Sequence, residues 1–260
     1  MDSERLRQVI HRRSGVLLDE NKDYLLESRL MPILKEEKID SYDRLADQAE
    51  RDLRLLGLVI DAVTTQETRF FRDEAVYQML FTGPLRTAMQ ERANFRIWSA
   101  GCATGQEPYS IAISILEMAG TRTVVTIDAS DISEGALDRA RRARYSEFEL
   151  RRGVSDLIRG KYFTKTEDGY QLKDRVRSMV RFFRFNFQEP IENLQYDVIF
   201  FRNVAIYFDE ELRERLFRDM FANLVPGGIL VVGTAETPLQ YVPEFHVEQS
   251  GPVRYYVKES

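Results

Sequence analysis

Residues 96–110 read Arg96-Ile97-Trp98-Ser99-Ala100-Gly101-Cys102-Ala103-Thr104-Gly105-Gln106-Glu107-Pro108-Tyr109-Ser110, and this run constrains the fold most tightly. It opens as a short apolar strand, breaks into a loop of small residues, and restarts as an amphipathic helix through Ile111, Ile113, Ile115 and Leu116. A strand that ends in a small-residue loop and feeds a helix is the usual opening of a nucleotide-binding α/β domain. The residues after the second glycine narrow the ligand. A phosphate loop needs Lys followed by Ser or Thr there, whereas this chain has Gln106 and Glu107. An anionic Glu repels a phosphate and suits hydroxyls or a positive charge. The loop points away from ATP and NAD, and toward a phosphate-free cofactor such as S-adenosylmethionine.

The 260 residues leave room for one large domain, or for a small domain beside a medium one. Apolar residues make up 43% of the chain, enough for a real core. The longest apolar runs, near Val198–Phe201 and Ile229–Val232, are strand-length and far short of the ~20 residues of a membrane span. Met1-Asp2-Ser3-Glu4-Arg5 carries charge where a signal peptide needs an apolar core, so a cytoplasmic protein with no membrane insertion is expected. A net charge of −5 gives no overall nucleic-acid footprint. Cys102 stands alone, which excludes an internal disulfide. His11 and His246 lie far apart and outside any ligand-spaced motif, so no metal site is expected. Nothing in the chain argues against a monomer.

Hydrophobic periodicity divides the chain. Residues 1–62 show helical stripes and no strand signal: Leu6, Val9 and Ile10; then Leu25, Leu26, Leu30 and Ile33; then Leu45; then Leu53, Leu55, Leu56, Val59 and Ile60. Pro32 predicts a kink or boundary, and Ser41 a helix cap before Tyr42. The reading is an N-terminal helical domain over residues 1–62, of three or four helices. A linker and connecting helix follow over 63–94. From residue 95 strand-like runs alternate with helices: Phe95–Ser99, Thr123–Ala129, Val180–Phe185, Tyr196–Phe201 and Gly228–Gly233, separated mostly by Glu107–Met118, Ser133–Arg144 and Asp209–Leu224. That alternation predicts an α/β domain over 95–260 with a mostly parallel sheet and helices on both faces. Phe245–Val247 and Val253–Val257, with Ser250-Gly251-Pro252 between them, predict an antiparallel hairpin at the sheet edge. Residues 145–183 interrupt the pattern. The short runs Tyr162–Phe163, Tyr170–Leu172 and Val176–Val180, with a turn at Asp168-Gly169, predict a small antiparallel β insert.

Candidate chemistry gathers where strands end. Asp131 follows the second strand, where a carboxylate can accept from ribose hydroxyls or simply cap the next helix. Asn186 suits an adenine edge or a turn. Arg202 and Asn203 emerge directly after Val198–Phe201, at the end of the sheet where open α/β folds bind ligands. An Arg there is hard to explain as core, because a buried charge must be paired. Tyr207 reads as a core aromatic or a site hydroxyl, and Asp209 as a helix cap. In the linker, polar Thr64-Thr65-Gln66-Glu67-Thr68-Arg69 precedes Phe70-Phe71-Arg72-Asp73. Thr65 or Thr68 could cap a helix, and Arg72 could bind a carboxylate in a fork. Cys102 reads as a small buried residue that lets backbone approach a ligand.

Taken in order, these segments resemble the chemotaxis receptor methyltransferases, the CheR family. The likeness runs from about residue 5 to the C-terminus. It rests on Thr64 to Arg72, the 96–110 run, Ala129-Ser130-Asp131-Ile132, Phe201-Arg202-Asn203-Val204-Ala205-Ile206-Tyr207-Phe208, and Pro226-Gly227-Gly228 followed by Gly233-Thr234-Ala235-Glu236. The resemblance implies a Rossmann-like S-adenosylmethionine-dependent methyltransferase sheet, with an N-terminal all-helical domain and the small β insert. It implies methyl transfer from S-adenosylmethionine to glutamate side chains on the cytoplasmic domain of a chemoreceptor. It places Gln66, Thr68 and Arg72 on the cofactor, with Arg72 also near the reacting centre. Ala100 and Gly101 fall among the cofactor-binding residues, and Glu107 would answer the cofactor ammonium. Asp131 would bind ribose. Asn186 and Phe187, with Phe201, Arg202 and Asn203, would complete the nucleoside pocket. Tyr207 would stand near the transferred methyl, as the second catalytic residue beside Arg72. The helical domain would face the methylation helices and the insert would dock the receptor.

Some positions depart from the family pattern. Gln66 stands where Asn is common, Gln106 replaces the first Glu of a usual pair, Phe201 replaces Cys, and Thr234-Ala235 replace His-Ser. The insert is short around Thr164–Gly169, so tethering through a receptor C-terminal pentapeptide is not expected. Two other readings share the pocket: a methyltransferase for another substrate, and a non-catalytic cofactor-binding regulatory module.

Overall fold

The computed structural model describes residues 3–18, 23–118, 123–191 and 194–259. Four helices come first: α1 (Glu4–Ser14), α2 (Asp23–Glu36), α3 (Tyr42–Arg51) and α4 (Leu53–Val63). Their shared core holds Leu6, Ile10, Leu26, Leu30, Leu45, Leu55, Val59 and Ile60. The Leu25 side chain lies outside the described residues. Ser41 caps α3 through the Arg44 amide. No boundary falls at Pro32, because α2 runs through it to Glu36. Leu53 is a correction to the expected stripe: it is 74% exposed. The buried face of α4 is Leu55, Leu56, Val59, Ile60 and Val63. At about 100° per residue, Leu53 falls roughly 200° from Leu55, off that face.

Residues 65–69 form no helix, so Thr65 and Thr68 cap nothing. Helices α5 (Glu74–Thr82) and α6 (Pro84–Gln90) lead into β1 (Asn94–Ala100), α7 (Gln106–Glu117), β2 (Val124–Asp131) and α8 (Glu134–Arg142). The insert follows as β3 (Arg144–Tyr145), α9 (Glu147–Arg151), α10 (Asp156–Tyr162), β4 (Phe163–Thr166), β5 (Gly169–Leu172) and α11 (Asp174–Arg177). The chain then returns to β6 (Val180–Arg184) and β7 (Tyr196–Phe201), and closes with α12 (Glu210–Asn223), β8 (Leu224–Val232), β9 (Phe245–Ser250) and β10 (Val253–Lys258).

The main sheet has the order β6-β2-β1-β7-β8-β10-β9. The first five strands are parallel, and β10 and β9 form the expected antiparallel hairpin at the edge. Period-two alternation splits the core. Phe95, Ile97, Val198, Phe200 and Val231 face α5, α6 and α7. Trp98, Ala100, Ile199, Phe201 and Leu230 face α12. The insert carries its own three-stranded sheet, in the order β3-β5-β4. One of its expected runs behaves differently: Val176 lies in α11, its side chain buried in the core, and Val180 opens β6.

Two features place the site. The chain leaves β1 toward β2 and β6, then returns to β7 on the other flank of β1. Loops at the carboxyl ends of β1 and β7 therefore splay apart and leave a crevice. The helical region is pinned over that crevice. The Leu17 amide donates to the Tyr207 carbonyl at 2.8 Å, the Gly135 amide donates to Asp61 at 3.1 Å, and His11 Nε2 lies 2.8 Å from Asp209 Oδ2. Gly15 turns at φ +75, and a Cβ there would lie 2.3 Å from Leu212. Among the described residues, no helix is long and apolar enough to cross a membrane.

Candidate active site

The crevice is a cavity of about 460 Å³, of a size suited to a small-molecule ligand. Gln66, Thr68, Arg72, Gly101, Glu107, Asp131, Phe187, Arg202, Asn203 and Tyr207 all line it. Three residues expected there do not. Ala100 and Phe201 are fully buried and pack in the core toward α12, because their places in β1 and β7 point them away from the loops. Asn186 is turned outward. Its Nδ2 donates to the Arg13 carbonyl at 2.7 Å and its Oδ1 accepts from the Gln188 amide. It is a turn residue that ties the sheet to α1.

The loop after β1 is built for close approach. Gly101 has φ +84, and a Cβ would fall 2.5 Å from Val204. The Gly101 and Cys102 amides both donate to the Ser130 carbonyl at 2.8 Å. Cys102 is buried, and burial pushes its thiol well above the ordinary range, so it is no nucleophile at neutral pH. Gly105, at φ +92, leaves no room for a Cβ against Ala140.

Asp131 accepts one amide on each oxygen, from Ala103 at 2.8 Å and Ser133 at 3.0 Å. The cap of α8 is Ser133 instead, which accepts from the Ala136 amide. Asp131 thus keeps a lone pair on each oxygen for other donors. Burial raises its pKa, against the lowering effect of the Ser133, Ala103 and Ile132 amides.

Glu107 and Arg202 meet inside the site. Arg202, its side chain 2% exposed, donates to Glu107 at 3.1 Å and to Asp73 at 2.6 Å. It also donates to the Arg72 carbonyl at 3.1 Å. Glu107 accepts in addition from Ser99 Oγ at 2.8 Å. Two carboxylates around one guanidinium leave the cluster with a net negative charge. Of these, Glu107 and Arg202 line the cavity.

Arg72 sits between two non-glycine residues in left-handed conformation, Phe71 at φ +49 and Asp73 at φ +58. Such residues cost of order 1–3 kcal/mol each and persist only where the surroundings hold them. The Phe71 amide donates to Ser110 Oγ at 2.9 Å, and Arg202 holds the other side. The two phenylalanines diverge. Phe70 packs edge-on against Tyr145 and Phe163 of the insert, and Phe71 against Tyr77 of α5. Both anchors aim Arg72 at the cavity, where its guanidinium makes a 3.4 Å contact with the Glu67 carbonyl.

Residues 66–251 match the family model described as CheR methyltransferase, SAM binding domain. Residues 1–64 match CheR methyltransferase, all-alpha domain. The chain belongs to the CheR methyltransferase family. Similar relatives include chemotaxis protein methyltransferase 1 of Vibrio cholerae, 36% identical, with 92% of this chain and 90% of that protein covered. The chemotaxis protein methyltransferase of Vibrio parahaemolyticus is 35% identical over 92% and 90%. Chemotaxis protein methyltransferase Cher2 of Pseudomonas putida is 31% identical over 97% and 96%.

This CheR protein is an S-adenosylmethionine-dependent methyltransferase, and its cavity fits that cofactor. Gln66 donates to Thr64 Oγ1 at 2.9 Å, while its buried Oε1 has no partner among the described residues and is an acceptor in want of a donor. Asp131 offers two more acceptors. The Gly101 backbone is bare, Phe187 supplies an aromatic wall, and the Glu107 carboxylate is placed to meet an ammonium. The departure at Gln106 also has a structural account. Its side chain accepts from Thr104 Oγ1 at 2.8 Å and donates toward Glu149 of the insert at 3.4 Å. A Glu at this position would face Glu149 with like charge.

Sequence reasoning missed several parts. Val16, Leu17, Leu18 and Arg29 of the helical region line the cavity, and nothing local marks them. Arg29 donates to the Val63 carbonyl at 2.9 Å. Asp73 acts through Arg202 and Ser110 through the Phe71 amide, partners far away in sequence.

Proposed function

We propose that this enzyme forms methyl esters on glutamate side chains of chemoreceptor cytoplasmic domains. The carrying observation is Arg72, a guanidinium held on strained backbone at the cavity and without an ion pair among the described residues. Arg72 orients a carboxylate there, and Arg29 adds a second guanidinium from α2. Gln66, Thr68, Gly101, Asp131, Phe187 and Asn203 hold the cofactor, with Glu107 and Arg202 setting the local charge. When bound, the cofactor supplies an already activated methyl group on a sulfonium.

The residues have little proton chemistry to perform. A glutamate carboxylate has a reference pKa of about 4.3 and is ionised at neutral pH, so no general base is needed. The protein must align the carboxylate and exclude competing water, which is catalysis by proximity. Tyr207 shapes the methyl site. It rides on the turn Ala205–Tyr207, and its carbonyl anchors Leu17 of the helical region.

Domain roles follow from charge. Between residues 145 and 183 stand 9 Lys and Arg against 6 Asp and Glu, in a chain of net charge −5. The insert would steer an acidic receptor surface toward the cavity, without a pentapeptide tether. The helical domain (1–62) and the linker (63–94) complete the cavity of the catalytic domain (95–260). The reading places the enzyme in the cytoplasm. The test is transfer of labelled methyl from S-adenosylmethionine to purified receptor cytoplasmic fragments. Label should enter the native fragment and not one whose target glutamates are replaced by alanine. Equal labelling of both would end the proposal.

A further inference from the structure

We infer that Glu236 is a positioning residue for cofactor binding, although it does not line the cavity. This rests on the cofactor reading above. Glu236 follows β8 in the turn Gly233-Thr234-Ala235-Glu236, and its side chain is buried, with 8% of the residue exposed. Its carboxylate accepts four backbone amides. Oε2 takes Gly233 and Asn203, each at 2.7 Å. Oε1 takes Val204 at 3.0 Å and Ala205 at 2.9 Å. Among the described residues, no Lys or Arg forms an ion pair with it. Backbone N–H groups alone balance its charge, as in an anion-binding nest.

The three consecutive amides after β7 have no strand to pair with, because the chain has left the sheet. Glu236 satisfies all three and so determines the path of the loop. That path has consequences at the site. Asn203 takes φ +59, a left-handed conformation that Asn tolerates better than most non-glycine residues. Val204 is pressed against Gly101, where even a Cβ would be 2.5 Å away. Arg202 begins the loop and Tyr207 ends it, so both are aimed by the same carboxylate. Gly233 is required in turn, since a Cβ there would lie 2.7 Å from Glu236 and 2.6 Å from Asn203.

The test compares wild type, Glu236→Gln and Glu236→Asp. The amide variant keeps the shape but sets an N–H₂ against N–H donors. The shorter acid keeps the charge and reaches fewer amides. Calorimetry with S-adenosylhomocysteine should show a Kd at least tenfold weaker for Glu236→Gln, with partial recovery in Glu236→Asp. Amide hydrogen exchange at residues 203–205, in the absence of any ligand, should accelerate in the same order, while exchange in α12 and β8 stays near wild type. Unchanged affinity and exchange in Glu236→Gln would overturn the inference. So would a uniform rise in exchange across the domain, which marks a merely structural role. Should wild type itself fail to bind, the cofactor reading is what falls, and the exchange series still decides whether Glu236 holds the loop.

Discussion

The Arg202 guanidinium lies 2.6 Å from the Asp73 carboxylate, across 129 residues of sequence. This pair joins the linker to the carboxyl end of β7, and with it the segment that carries Arg72 to the segment that carries Tyr207. Charge-assisted contacts of this kind give geometry as well as energy. They explain how Phe71 and Asp73 can keep left-handed backbones on either side of a site residue.

Arg72 is half-exposed and makes no ion pair among the described residues, so its loss should spare the fold. Arg72→Ala should lower methyl transfer on the order of 100-fold or more, while thermal unfolding shifts by no more than about 0.5 kcal/mol. Initial rates and melting curves on the same samples separate the two. Full turnover by the variant would remove Arg72 from the mechanism.

Arg202→Met should do the opposite to stability. It leaves Glu107 and Asp73 facing each other with no cation between them. Removing one partner of a buried ion pair costs about 3–5 kcal/mol, and the partial exposure of Asp73 places the expectation at the lower end. Urea denaturation reads this directly, and protease cleavage in residues 65–73 should quicken. A variant as stable as wild type would mean the cluster contributes nothing net.

Gly153 stands where the insert meets the linker. A Cβ there would lie 1.9 Å from the Phe70 carbonyl oxygen, and that neighbour is backbone. Gly153→Ala should destabilise the protein by about 1–3 kcal/mol through forced displacement. Because Phe70 and Arg72 are two residues apart, methyl transfer should fall as well. A crystal structure or melting curve of the variant indistinguishable from wild type would contradict the packing described.

Asp209 caps α12, accepting from the Leu212 amide, and also pairs with His11. The amide first, then His11, lowers its pKa below the ordinary carboxylate range, against the raising effect of burial. The sign follows: a depressed carboxylate adds stability that is present above about pH 3.8 and is lost as pH falls through the lower folded value. Asp209→Asn should therefore be less stable than wild type at pH 6, and the gap should close in acid. Denaturation midpoints from pH 2 to pH 7 test it, and a gap that widens on acidification would refute the assignment.

Much of this was legible in the chain. The short apolar runs Phe95–Ser99 and Tyr196–Phe201 marked strands, and Gly101 and Gly105 marked a loop where backbone must come close. Other features were not legible. Asn186 suited an adenine edge by chemistry, yet it bonds to Arg13 across 173 residues. Leu53 belonged to an apolar stripe by composition, but it stands off the face of α4 that Leu55, Leu56, Val59, Ile60 and Val63 bury. Glu236 stood within a quoted motif without an evident task, because its four donors come from two separate loops.

The sequence by itself determined the kinds of element, their order and the exclusion of a phosphate loop. Those follow from side-chain period, glycine conformation and local charge, all of which act within a few residues. Only the tertiary structure decided which charges meet. Glu107 looked available for a cofactor ammonium, but β7 delivers Arg202 to it at 3.1 Å. Pairing energies depend on distance and burial after the sheet has assembled, and no local pattern encodes them.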